Sequence, residues 1–190
     1  MGKISPTALN KKGKCASIIE NLCYLFPVLN HTPWWKGSRG EWYVVAQGAL
    51  FLLVVFGPRH LPGGTLWPIW LSEAAFMVGI ALLVAGALMG LSAVFGLGKN
   101  LTPLPYPKDG APFIQSGAYA LVRHPIYASA IQLGLGYAFL VHGTLTLAYA
   151  VLLFAFFDVK SRREERWLVE RHPAYADYQR SVRRLIPFVY

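Results

Sequence analysis

Four stretches of this chain carry almost no charge, and they limit what it can fold into. WYVVAQGALFLLVVFG (42–57), IYASAIQLGLGYAFLV (126–141) and TLTLAYAVLLFAFF (144–157) contain no charged residue, and WPIWLSEAAFMVGIALLVAGALMGLSAVFGLG (67–98) contains only Glu73. A helix that crosses a bilayer needs about 20 predominantly apolar residues, roughly 17–25. The second stretch exceeds that length, and the others reach it only with their flanks. Alone, the last two would also suit buried core helices. Charged residues make up 14% of the chain, against about 25% in soluble domains, so too little polar chain remains to wrap four apolar helices. The expectation is an all-α integral membrane protein with about four transmembrane helices.

Charge then sets the orientation. Of 18 Lys and Arg, six precede the first stretch, Arg59 alone lies between the first two, and Lys99, Lys108 and Arg123 lie between the second and third. None lies in the turn between the third and fourth, and eight follow from Lys160 onward. With four spans, both termini and the 98–125 segment share one basic side, which should be cytoplasmic. The chain divides accordingly into a basic arm over 1–40, two spans over 41–98, and a core over 99–190 that ends in a cytoplasmic helical extension. Within the arm, residues 17–29 suit a short interfacial helix. Glu20 and Asn21 interrupt any secretory signal, and Pro6 breaks the myristoylation pattern. Cys15 and Cys23 would be free thiols on a reducing side. The net charge of +9 borders lipid and no nucleic-acid motif accompanies it, so we expect the bilayer and not a nucleic acid as partner.

Two short matches raise the question of function: RHPIY (123–127) and RHPAY (171–175). The second sits in polar sequence, ERHPAYADYQRSVRRLIP. Pro173 should break a helix there, with Ala174–Leu185 forming another that carries Arg180, Arg183 and Arg184. The flanks of the two copies do not align, so the match reads as coincidence. The first copy stands at the mouth of the third apolar stretch. Pro125 suits the first helical position, His124 the cap and Tyr127 the first turn. Backbone N–H groups at that start, with Arg123, form a seat for a carboxylate or phosphate. An interfacial anchor is the plainer alternative for Arg123 and Tyr127, and pairing with the acids of 158–165 is another for Arg123.

A second polar cluster favours a site. The fourth stretch runs into FFDVKSRREERWL without a breaker, so one helix should continue out of the membrane. It places Lys160 and Glu164 on one face, and Ser161 and Glu165 on another. Only His142–Gly143 or so joins the third and fourth helices, which must therefore be antiparallel neighbours. RHPIY and KSRREE then meet at one height. Cations and hydroxyls opposite carboxylates can hold a zwitterion, such as the amino-acid end of S-adenosylmethionine.

The order SGAYALVRHPIYAS, an apolar hairpin, EERWLVERHPAYADY and RRLIP resembles the isoprenylcysteine carboxyl methyltransferase family, over roughly 95–188. Related phospholipid N-methyltransferases share the RHPxY–apolar–EE pattern. The resemblance implies an S-adenosylmethionine-dependent methyltransferase acting on a lipid-tethered or small apolar acceptor, most simply a carboxylate. It implies a cofactor pocket built from Ala111, Pro112, Phe113, Ile114, Tyr119, His124, Pro125, Ile126, Tyr127 and one glutamate, with Glu164 favoured by the alignment of Leu168. Arg123, His124 and Tyr127 would serve the reaction, and Lys160 the acceptor. This sequence departs from the family at two of these places. It has Lys160 where the family has Arg, and Ala111-Pro112 where relatives are more polar.

Other features have plainer readings. Gly86 and Gly90 form GxxxG, which packs helices within one chain or between chains, so a homo-oligomer through these glycines is one expectation. Glu73 should lie at the outer interface beside Trp67 and Trp70. The five histidines lack metal-ligand spacing, so no metal is expected. Two competing functions remain. Membrane sterol and enone reductases have a comparable C-terminal arrangement around NADPH, but this chain is short and its connector lacks a basic cluster for the 2′-phosphate. A non-catalytic binding protein on the same scaffold is the other.

Overall fold

A computed structural model of the protein describes residues 40–63, 67–98, 101 and 114–190. The basic arm, the 17–29 segment, both cysteines and nearly all of the 99–113 connector lie outside the described residues. Those that are described form α1 (Glu41–Phe56), α2 (Ile69–Leu97), α3 (Ala118–Leu121), α4 (Pro125–Leu140), α5 (Thr144–Arg171) and α6 (Tyr175–Ser181). Among the described residues the strand-like pairing is an isolated parallel bridge between Val122 and Arg183.

Each apolar stretch of the sequence is a helix. α2 and α5 are long and apolar enough to cross a membrane. α1 and α4 have 16 residues each, about 24 Å at 1.5 Å per residue, against a hydrocarbon layer of about 30 Å. Large apolar side chains point outward from α2, among them Met77 (69% exposed), Leu88 (64%) and Phe95 (80%). A helix that is apolar all round suits lipid and not water. Glu73 is also exposed, at the start of α2.

The bundle is held by a close approach of α2 and α4. A Cβ on Gly136 would lie 2.9 Å from the Gly79 carbonyl oxygen, and one on Gly79 would lie 2.9 Å from the Gly136 carbonyl oxygen. Further along, Ser129 Oγ donates to the Gly86 carbonyl at 2.7 Å, and Gly90 faces the same hydroxyl. Small residues let backbones meet where lipid offers no hydrophobic drive for helices to associate. Gly86 and Gly90 both face Ser129 of α4, which is the within-chain use of the GxxxG motif.

α4 and α5 form the expected hairpin. His142 takes a left-handed conformation (φ 51°) in the turn, and its Nε2 lies 2.9 Å from the Ser72 carbonyl oxygen. Leu145 N donates to the Arg59 carbonyl oxygen at 3.0 Å, which pins the loop after α1 to the same end. At the other end α5 continues to Arg171, just before Pro173. Its 28 residues measure about 42 Å, roughly 12 Å more than the hydrocarbon layer. The last turns of α5 therefore stand beside the start of α4. Phe157, Leu153 and Ile131 pack with Leu185 into the core there.

The tail departs from expectation. α6 ends at Ser181, not near Leu185, because Val182 turns extended and the next residues run beside the first motif: Arg123 N donates to Arg183 O (2.8 Å) and His124 N to Arg184 O (3.1 Å). Nor is the second RHPxY copy merely a basic surface. Tyr175 and Tyr178 are 2% and 4% exposed.

Gly136→Ala should destabilise the protein by about 1–3 kcal/mol, since backbone and not a flexible side chain would have to move. Gly48→Ala, where a Cβ meets nothing within 4 Å, should be neutral or stabilising by a few tenths of a kcal/mol up to about 1. Thermal melts of the two variants in detergent check the contrast.

Candidate active site at the start of α4

Pro125 occupies the first position of α4 and His124 the cap, as its missing N–H and preset φ favour. No side chain caps this helix start. Tyr127, in the first turn, donates its hydroxyl to Glu164 Oε2 at 2.8 Å. Its ring stacks on His124 (centroids 5.4 Å apart, 1° between planes) and on Phe157 (4.7 Å, 18°). Lys160 Nζ lies 5.0 Å from the Tyr127 ring centroid and donates to Gln47 Oε1 of α1 at 2.6 Å. One tyrosine ring thus touches a histidine, a phenylalanine, a lysine and a carboxylate.

The two adjacent glutamates have different surroundings. Glu165 is 4% exposed. Its Oε1 accepts from Arg123 Nε at 2.7 Å and lies 3.1 Å from His124 Nε2, and its Oε2 accepts from Gln179 Nε2 at 3.1 Å and lies 3.3 Å from Arg184 Nε. Glu164 has a side chain 23% exposed, with its Oε2 held by Tyr127 and 3.7 Å from His124 Nδ1. His124 therefore bridges both carboxylates. Glu164 is the one that keeps an open side.

Arg123 follows the ion-pair alternative. Besides Glu165, its guanidinium donates to the Gln179 carbonyl at 3.0 Å and to the Val182 carbonyl. It closes the tail onto α5. Tyr178 continues this closure by donating to the Tyr119 carbonyl. Burial pushes the Tyr178 hydroxyl up to about 12, and burial followed by the charge of Glu164 pushes that of Tyr119 well above its usual value. Both hydroxyls stay neutral at physiological pH.

Of the residues expected at the pocket, Tyr119, His124, Pro125, Ile126, Tyr127, Lys160 and Glu164 come together at this end of the bundle. Ile114 is half-buried, four residues ahead of α3. Ala111, Pro112 and Phe113 lie outside the described residues. The sequence reading assigned nothing to Gln47, Gln179 and Tyr190, and it placed Arg184 on the tail helix and Asp158 among the acids that could pair with Arg123. Asp158 binds Arg184 Nη1 (3.0 Å) and the Tyr190 hydroxyl (2.8 Å). Gln47 had a signal, being the single polar side chain in its stretch; Gln179 and Tyr190 had none. Among the described residues, no three His, Cys, Asp or Glu side chains gather as a metal site would require.

Removing Glu165 takes the carboxylate from Arg123 and leaves Arg184 with Asp158 alone, and breaking a buried pair in this way costs about 3–5 kcal/mol. Glu165→Ala should therefore lower the melting temperature far more than Glu164→Ala. Equal melting shifts would contradict the assignment of Glu165 as the structural partner.

The model of the isoprenylcysteine carboxyl methyltransferase (ICMT) family matches residues 78–170. The cobalt-zinc-cadmium resistance protein CzcN of Cupriavidus metallidurans is 30% identical over 153 residues, 78% of this chain and 62% of that one. A probable protein-S-isoprenylcysteine O-methyltransferase of Oryza sativa subsp. indica is 28% identical over 153 residues, 77% of this chain and 76% of its own. The protein-S-isoprenylcysteine O-methyltransferase of Mus musculus is 27% identical over 124 residues, 63% of this chain and 42% of its own. The chain spans less than two thirds of the CzcN and mouse proteins. In fold, it matches the structure of the eukaryotic intramembrane Ras methyltransferase ICMT with a TM-score of 0.55 at 23% identity, over 85% of this chain and 55% of that one. The segment that matches the ICMT family model, residues 78–170, holds α4, nearly all of α5 and both glutamates.

Proposed function

We propose that this protein is an integral-membrane methyltransferase that uses S-adenosylmethionine to methylate a lipid-tethered or small apolar acceptor, a carboxylate as in isoprenylcysteine O-methylation. The observation that carries this reading is the bond from Tyr127 to Glu164 (2.8 Å), which joins RHPIY to EE within the family segment. A zwitterionic amino-acid end fits this place. Its carboxylate suits the first-turn amides of Ile126 and Tyr127, where no side-chain cap competes. Its ammonium suits the open side of Glu164. Tyr119 and Ile114 border the same mouth, and Ala111, Pro112 and Phe113 precede it in the chain.

When bound, the cofactor supplies a sulfonium methyl group for in-line displacement. The chain's own residues have positioning tasks, which can account for much of a barrier when the attacking atom is held about 3–3.5 Å from the methyl carbon. Tyr127 aims Glu164. His124 keeps Tyr127 stacked and spaces the two carboxylates. Arg123 acts at one remove, through Glu165. Lys160 faces the acceptor side of the Tyr127 ring. A carboxylate acceptor arrives already ionised, so no group here has to remove a proton.

The four apolar helices are best read as four spans, with the basic tail and both termini on the cytoplasmic side, supported by the distribution of Lys and Arg. An acceptor would then enter sideways from the bilayer and the cofactor from water. Cysteine labelling should place residue 62 outside and residue 186 inside; labelling of both from one side would overturn this topology.

Titration of detergent-purified protein with S-adenosylmethionine and, separately, NADPH tests the function. S-adenosylmethionine should bind and NADPH should not; the reverse would turn the reading to a reductase. Tyr127→Phe and Glu164→Gln should each weaken S-adenosylmethionine binding about ten- to a hundredfold, the effect of losing a hydrogen bond to a charged group. Arg123→Lys should lower the melting temperature and leave that affinity nearly unchanged.

A further inference from the structure

The tail carries one cation that its ion pairs leave aside. Arg180 pairs with Asp177 at 3.0 Å, and Arg184 with Asp158 at 3.0 Å and with Glu165 at 3.3 Å. Arg183 is exposed, and among the described residues no carboxylate pairs with its guanidinium. It lines a cavity of about 240 Å³ together with Ala120 and Leu121 of α3, Ser181, Val182 and Phe188. None of these residues belongs to the proposed cofactor place. Ser181 donates its hydroxyl to the Tyr178 carbonyl at 3.1 Å, so the free donors of the cavity are those of Arg183. Its apolar wall is Leu121 and Phe188, the latter 87% exposed on a left-handed backbone (φ 63°) that bulky residues seldom adopt.

The height of this cavity follows from the contacts of the tail. The uncharged run of α5 ends at Phe157, and its charged extension begins at Asp158. Tyr190 touches both sides of that boundary: its ring lies 6.4 Å from that of Phe154, and its hydroxyl donates to Asp158 Oδ1 at 2.8 Å. Leu185 packs with Leu153 and Phe157. Residues 185–190 thus lie where α5 leaves the apolar layer, with Ile186, Phe188 and Val189 exposed. Arg183 stands just before them, at head-group level. We propose that the cavity seats the phosphate of an anionic phospholipid of the surrounding leaflet, with its first acyl carbons against Leu121 and Phe188. The seat rests on α5 crossing the bilayer and is independent of the methyltransferase reading. A guanidinium offers a fork of N–H donors that matches phosphate oxygens, and basic residues at this level attract anionic lipid. The Arg183 carbonyl accepts from Arg123 N at 2.8 Å. A lipid on its guanidinium therefore braces, from outside, the strand that closes the tail onto the first motif.

Native mass spectrometry of the full chain in detergent tests the seat. The wild type should bind phosphatidylglycerol about fivefold more tightly than phosphatidylcholine, the effect of one arginine on an anionic surface. Arg183→Gln should remove that preference, and Arg166→Gln, at an exposed arginine outside the cavity, should keep it. Equal binding of both lipids by the wild type, or equal loss in the two variants, would assign the attraction to general surface charge and overturn the seat. So would displacement of the lipid by inorganic phosphate at matching concentration, which marks a site for soluble anions. Arg183→Gln has no ion pair to lose, so its melting temperature without lipid should match the wild type; a lowered one would make the guanidinium a structural contact and also overturn the seat. Spin labels in phosphatidylglycerol nanodiscs, at Phe188→Cys and Leu88→Cys with Cys15→Ser and Cys23→Ser, separate the seat from the spanning reading. Both labels should be reached by oxygen and shielded from a water-soluble nickel complex. A label at 188 open to nickel beside a shielded one at 88 overturns the seat alone, and both open removes the spans with it.

Discussion

The carboxylate of Glu165 is the point on which one whole end of this molecule depends. Its partners come from three separate pieces of chain: Arg123 and His124 before α4, Gln179 on α6, and Arg184 in the tail. A carboxylate this buried is unfavourable unless its lone pairs are satisfied with good geometry. Here two guanidiniums, an imidazole and an amide share its two oxygens. The same contacts bring the residues after α6 alongside the first motif, where backbone bonds from Arg123 and His124 complete the closure. That carboxylate sets a negative charge between the basic tail and the equally basic start of α4.

The neighbouring Glu164 gains its character by contrast. Successive residues on a helix do not share a face, so once Glu165 is turned toward the tail, Glu164 must point elsewhere. It points to Tyr127, whose ring is already fixed by His124, Phe157 and Lys160. The proposed pocket therefore consists of side chains whose own positions are set by packing, while one carboxylate keeps a free edge. That combination suits a reaction whose main requirement is placement. It also separates Arg123, which acts through Glu165, from the groups proposed to meet the cofactor.

Much of this was legible along the chain. The helical hairpin followed from two uncharged runs with a two-residue joint, the α4 start from Pro125, and the extension of α5 from the lack of any breaker before Pro173. The pairing of RHPIY with the glutamates followed from the hairpin alone. The Gly79–Gly136 contact was not legible, because a glycine in an apolar helix gives no direction to its bare face. Nor was the burial of Tyr175 and Tyr178, since their neighbours are polar and their cover comes from another part of the chain.

Local sequence, then, determined the helices, their ends and the height at which the two motifs meet, because apolar run length, proline and turn residues act within a few positions of themselves. Tertiary structure decided which glutamate is committed and which is open, what Arg123 binds, and that Gln47 reaches Lys160 across 113 positions. Each of these depends on the rotation of one helix about its axis relative to another. That rotation is set by the close glycine contacts of α2 with α4 and by the ion pairs around Glu165, and neither leaves a periodic trace in the order of residues.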